Sequence, residues 1–523
     1  MAFTGKSGPR TALFDPVRPG VDADRPALRP GTLVAGCFAV GMAQIGVVLP
    51  GVLNGSIQQT LHVSGPELSW IGDAFLLPIA VLSLTFGVLG DLRGRKKMLV
   101  GGGLLMSLGY LVAATTSTVP LLMAGHVLAG IGAAALFQSS LAVITAATPD
   151  PAQRARGLAA WALALSIGAV LAPLLAGTIT QTSSFYWVFG TCAVIAAVSA
   201  GLSAVLVDDS SAPQGRAADW PGQGAIALSV LSLLYGVIQG PFNGWTDPGV
   251  VVAFVVAVVA FAAFLRIESR SASPMLRLEL FRIPAFATAA IVAVIGMFSF
   301  LGCGYVMSIR LGVIQHQTPL NVMWPFVIVQ GVPLLFGPLL ARLLRQVGPR
   351  RLLVSGLTAQ AVSHLWLAEI PVSRTGVLPI LGVLVLNGIS FILLISGLTA
   401  AMVNAVPVEL AGMASATASV VRDLGQTMGP AVIGTVALSQ AAPLLAHGLA
   451  GANLPPDQLA QAQAVMHEGG PLAVAGARLS TQVGDLATGA LAHGYAAGLY
   501  VTAGAALVAA AVALLFLRPQ RQL

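Results

Sequence analysis

Charged residues are scarce in this sequence, because Asp, Glu, Lys and Arg together make up only 9% of it. Soluble globular proteins carry about 25% charged residues. Hydrophobic residues account for 56% of the chain, and its mean hydropathy is +0.87. This composition excludes a soluble protein of several domains and predicts an all-α membrane protein. The net charge of +7 is then a matter of membrane topology, and we expect no nucleic-acid partner.

Cysteine is also rare, and this limits the possible chemistry. The three cysteines, Cys37, Cys192 and Cys303, each lie in an apolar segment and share no metal-ligand or disulfide spacing. No catalytic serine elbow and no intramembrane cluster of His and Asp residues is present, which argues against an enzyme. We predict no metal site and no bound cofactor, and we exclude an ATP-driven protein because no phosphate-binding loop is present.

Apolar segments of about 20 residues, the length that crosses a bilayer, recur fourteen times between residues 32 and 517. Numbering the ninth segment as the start of a second half gives two six-helix bundles with two helices inserted between them. Repeated halves around a central cavity are typical of transporters. The predicted organisation is a disordered cytoplasmic tail at 1–31, a bundle at 32–207, a linker with two helices at 208–284, a bundle at 285–517 with an extracellular loop at 440–492, and a cytoplasmic tail at 518–523. Within that loop we predict a short surface helix at 456–466.

Basic residues are distributed unevenly between the two sides of this topology. With the N-terminus inside, 22 of the 26 Lys and Arg residues lie in cytoplasmic stretches. Cytoplasmic loops of membrane proteins carry such an excess. We therefore predict a multi-pass protein of the bacterial inner membrane with both termini in the cytoplasm.

A short basic turn follows the second predicted helix. It contains Gly87, Asp91, Gly94 and Arg95, and we expect Asp91 to pair with Arg95 or with a neighbouring helix end. Its residues match the pattern Gly-x-Leu-x-Asp-x-x-Gly-Arg-Lys of the major facilitator superfamily. A second, weaker copy follows helix 10 and has Arg345 in place of the aspartate.

The whole chain after residue 30 resembles the 14-helix drug:proton antiporter family of that superfamily. The fifth predicted helix supports the resemblance with Gly168, Pro173 and Gly177, which are similar to the antiporter motif Gly-x-x-x-Gly-Pro-x-x-Gly-Gly. The resemblance implies that the basic turn latches the cytoplasmic side. It also implies that the fifth helix bends and seals the cavity against proton leak. A small-residue packing face is the alternative interpretation of that helix.

Ionisable residues inside lipid are costly and usually functional. Asp73 lies five residues into predicted helix 2, and Arg422 and Asp423 lie near the middle of helix 13. Being adjacent, the last two point about 100° apart and need not pair with each other. His126 stands where the family usually has an arginine. We propose Asp73, Asp423 and His126 for proton coupling and Arg422 for substrate; a structural role is the alternative for each.

Further cavity candidates are amides in apolar helices. Helix-packing hydrogen bonds are the alternative for each of them. Gly46 occupies a position where many multidrug members have an aspartate tied to cationic substrates, so we favour neutral, zwitterionic or anionic amphiphiles. The amide candidates are Gln44, Gln138, Gln330, Asn387 and Gln426.

These observations predict a monomeric exporter that contacts membrane lipid and uses the proton gradient to move a small amphipathic compound, such as an antibiotic, outward. An uptake carrier or uniporter of the same fold and a non-transporting membrane sensor are the alternatives. The direction of flux under an imposed pH gradient separates the first two from the exporter.

The topology is testable with a membrane-impermeant thiol label on Gln214→Cys and Gln463→Cys variants. We expect the second cysteine to react in intact cells and the first only after lysis, because they flank opposite sides of the predicted membrane. Labelling of Gln214→Cys from outside, or of Gln463→Cys only after lysis, would show that the threading is wrong.

Overall fold

The computed structural model describes residues 29–148, 150–211, 219–271, 274, 276–344, 347–407, 410–477 and 479–517. Most of both predicted tails, Gln214 and Arg345 lie outside these residues. The described chain is built from α-helices, and no strand occurs within it. Apolar segments form helices here because a helix satisfies its own backbone hydrogen bonds, which hydrocarbon cannot do.

The helices follow one another with short connections. In chain order they are α1 Pro30–Leu61, α2 Gly65–Arg93, α3 Arg95–Thr115, α4 Val119–Ala146, α5 Pro151–Thr182, α6 Tyr186–Leu206, α7 Trp220–Asn243, α8 Pro248–Glu268, α9 Pro284–Ile309, α10 Pro319–Leu344, α11 Pro349–Glu369, α12 Leu381–Asn404, α13 Ala411–Gly451, α14 Pro456–Gly476 and α15 Thr481–Phe516.

Thirteen helices within the described part of the chain are long and apolar enough to cross a membrane. The predicted segment without a counterpart in that set is the eleventh, which corresponds to α11 and has 21 residues. It nevertheless packs between α12 and α15, among helices that do qualify. The middle of this helix contains Gln360 and His364, both buried, and these strongly polar side chains lower its hydropathy. The number of fourteen spans therefore stays a prediction.

The region predicted as a loop at 440–492 is largely helical. Helix α13 continues to Gly451, the short helix predicted at 456–466 is present and extends to Gly476, and α15 already begins at Thr481. The prediction treated this stretch as a connection between two spans, but its polar residues, such as Gln461 and Gln463, are good helix formers on a solvated surface. Non-helical angles at Gly470 (φ 71°) mark a kink inside α14.

Each half is a bundle held together by small residues. In the first half, α3 and α4 meet at Gly109 and Gly125, where a Cβ atom on Gly109 would lie 2.4 Å from the Ala129 nitrogen. Such close backbone contact is the usual means of helix association in lipid. Helices α9 to α13 and α15 form the second half through the pairs α9–α13, α11–α12 and α13–α15.

The inserted helices are asymmetric in their contacts. Helix α7 packs on α2 and on α13, and α8 packs on α7. Gln223 of α7 donates to the Val81 carbonyl oxygen over 2.9 Å and bonds to Thr85, while Thr435 of α13 donates to the Val237 carbonyl oxygen. Helix α7 therefore bridges the two halves along the α2–α13 seam.

The halves meet closely at the end that carries the α1–α2 connection. A Cβ atom on Gly55 of α1 would lie 2.8 Å from the Gly312 Cα atom, just beyond α9. Gln59 donates to the Gly312 carbonyl oxygen over 3.3 Å, and Gln58 donates to the Leu472 carbonyl oxygen of α14 over 3.3 Å. One apolar core therefore runs from the first half into the second at this end.

At the opposite end, a second apolar core contains residues of the second half alone, such as Leu280, Phe286 and Leu394. The structure thus joins its halves at the α1–α2 end and gives the second half its own core at the end of the α2–α3 turn.

We expect Gly55→Val to destabilise this joined arrangement, because its side chain would collide with the Gly312 backbone. The predicted loss is about 1–3 kcal/mol, measured as the midpoint of thermal unfolding of the purified protein. Gly51→Val is the matched control on α1, since the nearest atom to a Cβ there is 3.7 Å away. Equal midpoints for the two variants would contradict the close contact.

Candidate functional site

The basic turn between α2 and α3 is ordered by an ion pair. The Arg95 Nη2 atom lies 2.7 Å from Asp91 Oδ1, which confirms the predicted partner. Gly94 has φ 105°, a conformation that favours glycine. Asp209, from the chain after α6, occupies the place a Cβ on Gly94 would take, and the Arg95 amide donates to the Ser210 carbonyl oxygen. Sequence reasoning missed this covering segment.

Gly87 differs from Gly94, since an added Cβ there would meet no atom within 4 Å. The space beside Gly94 is therefore filled by the Asp209 side chain, whereas the space beside Gly87 is open. The gating role of Gly87, Asp91, Gly94 and Arg95 stays a prediction.

The motif in α5 lies at helix contacts on two sides. A Cβ on Gly168 would lie 2.3 Å from the Gly41 carbonyl oxygen of α1, and one on Gly177 would lie 2.5 Å from Met323 Cβ of α10. Helix α5 continues through Pro173 to Thr182. The motif therefore ties α5 to its own half at one end and to the opposite half at the other.

Asp73 is buried in α2 without a hydrogen bond. Its side chain is 0% exposed, and neither carboxylate oxygen has a hydrogen-bond partner among the described residues. One turn earlier, the Ser69 hydroxyl lies 3.3 Å from the Tyr305 hydroxyl of α9. The Asp73 carboxyl group is close enough to Tyr305 for their charges to interact. The ring of Tyr305 contacts the Tyr495 ring of α15, with 6.2 Å between the centroids.

These residues form a buried polar line across the joined end, from the first half (Ser69, Asp73) to the second (Tyr305, Tyr495). Sequence reasoning found Asp73 but missed the tyrosines. All 6 tyrosines of the chain lie within helices, so a tyrosine in an apolar segment did not by itself single out these two.

His126 is enclosed by aromatic rings in the first half. Its Nδ1 atom lies 2.7 Å from the Ile71 carbonyl oxygen, and because a carbonyl only accepts, Nδ1 carries the hydrogen. The rings of Phe75 and Phe189 stand edge-on to it at 6.5 Å and 5.3 Å. Its Nε2 atom is buried and has no hydrogen-bond partner among the described residues. The hydrogen bond from His126 to the Ile71 carbonyl oxygen therefore holds α4 and α2 together.

The packing around Gly46 leaves no room for an aspartate at this position of α1. A Cβ there would lie 2.3 Å from Phe75 and 2.5 Å from the Tyr110 hydroxyl. The rings of Phe75 and Tyr110 stack at 6.3 Å between centroids. Aromatic side chains thus occupy the space that an aspartate at this position would need.

Arg422 and Asp423 do pair, although their adjacency on α13 did not require it. The Arg422 Nε atom lies 3.2 Å from Asp423 Oδ1, and the two side chains are 33% and 13% exposed. The environment of Asp423 is therefore opposite to that of Asp73, which has no basic partner. Gln426, one turn further along, is half-buried.

The remaining amides divide into two groups. Gln44, Gln138 and Gln330 are half-buried and make no hydrogen bond with a described residue, so their amides remain available to a ligand or water. Asn387 is buried, donates to Cys303 Sγ over 3.9 Å and accepts from Ser390. Its position fits the helix-packing alternative. In the described ranges, no group of three or more His, Cys, Asp or Glu residues is placed to hold a metal ion.

Known proteins share this organisation. Residues 34–430 match the Major Facilitator Superfamily. The chain is 26% identical over 491 residues to the tetracenomycin C resistance and export protein of Streptomyces glaucescens, covering 92% of this chain and 90% of the relative. It is 29% identical over 405 residues to the multidrug resistance protein Stp of Mycobacterium tuberculosis, covering 77% of this chain and 75% of the relative.

A third relative is the methyl viologen resistance protein SmvA of Salmonella typhimurium, 29% identical over 389 residues, covering 72% of this chain and 76% of the relative. Among solved structures, a peptide transporter POT in complex with sulfate has a TM-score of 0.63 at 14% identity, covering 94% of this chain and 96% of that chain. A bacterial homolog of the human lysosomal transporter Spinster, inward-facing and unoccupied, has a TM-score of 0.62 at 16% identity, covering 92% and 96%.

The two structural likenesses show the fold, and the match over residues 34–430 shows the family. Apolar helices of spanning length, two bundles joined at one end and the ion-paired turn after α2 agree with both. The chain is a multi-pass membrane protein of the Major Facilitator Superfamily, a secondary transporter of small molecules and not an enzyme.

Proposed function

We propose that this protein exports a small amphipathic compound, an antibiotic or related metabolite, across the bacterial inner membrane in exchange for protons. The observation that carries the proposal is the Asp73 carboxyl, buried without a hydrogen-bond partner where the two halves join. The names of relatives with resistance and export roles support the drug class. The predicted working unit is a monomer in contact with lipid.

Proton coupling follows from the cost of burying an unpaired charge. A carboxylate without a partner in a low-dielectric interior is penalised by several kcal/mol, and the neutral acid is penalised by less because it carries no charge. The joined end therefore favours Asp73 in its protonated form, and loss of the proton favours separation of the halves there. A proton that binds two states unequally shifts their populations, which is the requirement for coupling.

The second carboxyl, Asp423, has a different role in this scheme. It is paired with Arg422, whose side chain is 33% exposed, and Gln426 lies on the same helix face as Arg422. A guanidinium that is partly free to solvent suits an anionic or polar group of the substrate. Binding of that group by Arg422 competes with the Asp423 pair, so substrate and proton are linked at this point.

Because the halves meet at the α1–α2 end, which the predicted topology places on the periplasmic side, we infer that the described conformation faces inward. The joined α1–α2 end is then the periplasmic side, and the end with the basic turn is the cytoplasmic side. Substrate enters from the cytoplasm, the halves rock about the centre, and the Gly87–Arg95 turn latches the cytoplasmic side in the opposite state.

Coupling is tested with Asp73→Asn, Asp423→Asn and the double variant in inside-out vesicles carrying an imposed pH gradient. We expect Asp73→Asn to slow pH-driven transport roughly tenfold or more, because a neutral amide no longer shifts the two states with pH. Asp457→Asn, an exposed acid at the start of α14, is the control and should transport normally. Normal coupled transport by both single variants and by the double variant would show that the assignment is wrong.

Substrate class is tested by a susceptibility panel on cells with and without the gene. Because Phe75 and Tyr110 fill the space next to Gly46, we expect protection against neutral, zwitterionic or anionic amphiphiles, and none against cationic dyes or methyl viologen. Cells that show protection against the cations alone would contradict the substrate class, while leaving the exporter function intact.

A further inference from the structure

A groove runs along the lipid-facing surface of the second half, between α11, α12 and α15. Its volume is 660 Å³. Arg350 and Arg351 line one end, Ser355 and Thr358 follow along α11, and Val362 lies at the far end of that helix face. The groove belongs to neither the Asp73 line nor the Arg422–Asp423 pair.

The groove has the length of one membrane leaflet. Arg351 and Val362 are eleven residues apart, which is about 16 Å along a helix. Half of the hydrocarbon core of a bilayer is about 15 Å. The residues between them, Ser355 and Thr358, share one helix face because they follow Arg351 at four and seven positions.

The polarity of the groove falls along this length in the same order as the polarity of a phospholipid falls from its headgroup to its acyl chain. Two guanidinium groups stand at the end near the start of α11, two hydroxyl side chains come next, and Val362 and Leu386 make the deeper part apolar. This order matches a phosphate, a glycerol-ester region and an acyl chain.

The two arginines at the end of the groove are placed where they can bind an anion. The Arg350 Nε atom donates to the Leu514 carbonyl oxygen over 3.1 Å, and its Nη2 atom donates to the same oxygen, which holds the side chain against the end of α15 and leaves Nη1 free of this contact. Arg351 is exposed and makes no hydrogen bond or ion pair with a described residue. Guanidinium groups bind phosphate oxygens in a bidentate manner that a lysine does not reproduce.

We propose that this groove binds an anionic phospholipid, with its phosphate at Arg350 and Arg351 and one acyl chain lying along α11 to Val362. In the predicted topology the arginines face the cytoplasmic leaflet, where basic pockets between helices bind anionic headgroups. The apolar length of the groove selects a membrane lipid over free phosphate. The bound chain contacts three helices of the second half and holds them together as a unit.

The test uses the full-length purified protein in detergent, with phosphatidylglycerol and phosphatidylcholine of identical chains as probes and native mass spectrometry as the measurement. We expect retention of phosphatidylglycerol over phosphatidylcholine. In the double variant Arg350→Gln/Arg351→Gln this retention should weaken roughly tenfold or more. Arg374→Gln, an exposed arginine in the α11–α12 connection, is the control and should bind as the wild type does.

A groove-filling variant, Ala359→Phe, keeps both arginines and separates lipid from phosphate binding. It should also lose phosphatidylglycerol, and it decides the matter if the double variant fails to fold. Three results would overturn the proposal: unchanged retention in both variants, equal retention of the two lipids, or loss in the arginine variant with none in Ala359→Phe. The last result would indicate a simple phosphate site.

Discussion

Hydrocarbon cannot hydrogen-bond to a polypeptide, and this constraint governs the rest of the structure. It requires each backbone polar group in the membrane to find its partner inside a helix or against another helix. Helices then associate through small residues, as at Gly109 with Gly125, and through isolated polar contacts such as Gln223 with Val81. A polar side chain that stays unpaired under these conditions lowers the stability of the fold, and such a side chain is therefore a candidate for a functional role.

The two acids in the transport region meet this cost in different ways. Asp423 is compensated by the neighbouring Arg422, and the pair is partly open to solvent. Asp73 is not compensated, and it lies beside the Ser69–Tyr305 contact that joins the two halves. One acid is therefore suited to respond to a substrate and the other to the separation of the halves. This division of labour is the physical basis of the proposed exchange.

The two ends of the bundle are also unlike one another. At the α1–α2 end, Gly55 and Gly312 face each other and let the two halves come into contact. Helix α14 covers this contact, where Leu472 accepts a hydrogen bond from Gln58. At the other end, the ordered element is local, an ion pair within the α2–α3 turn that is covered by the chain after α6. A transporter of this fold alternates between such arrangements. We therefore interpret the turn as the element that holds the two halves together at the cytoplasmic side in the opposite state.

The sequence by itself determined the membrane class and the helical fold, because hydropathy and helix length are local properties. It left the partner of Asp91 open between Arg95 and a neighbouring helix end, and the structure decided for Arg95. The sequence also placed a helix at 456–466, although the surrounding stretch was taken for a loop, since surface helices leave only a weak hydropathy signal. Only the tertiary structure decided that Asp73 is unpaired, that Tyr305 lies near it and contacts Tyr495, and that Gly46 faces Phe75 and Tyr110. These relations join residues far apart in the chain, and packing between helices sets them, which no periodicity along one helix records.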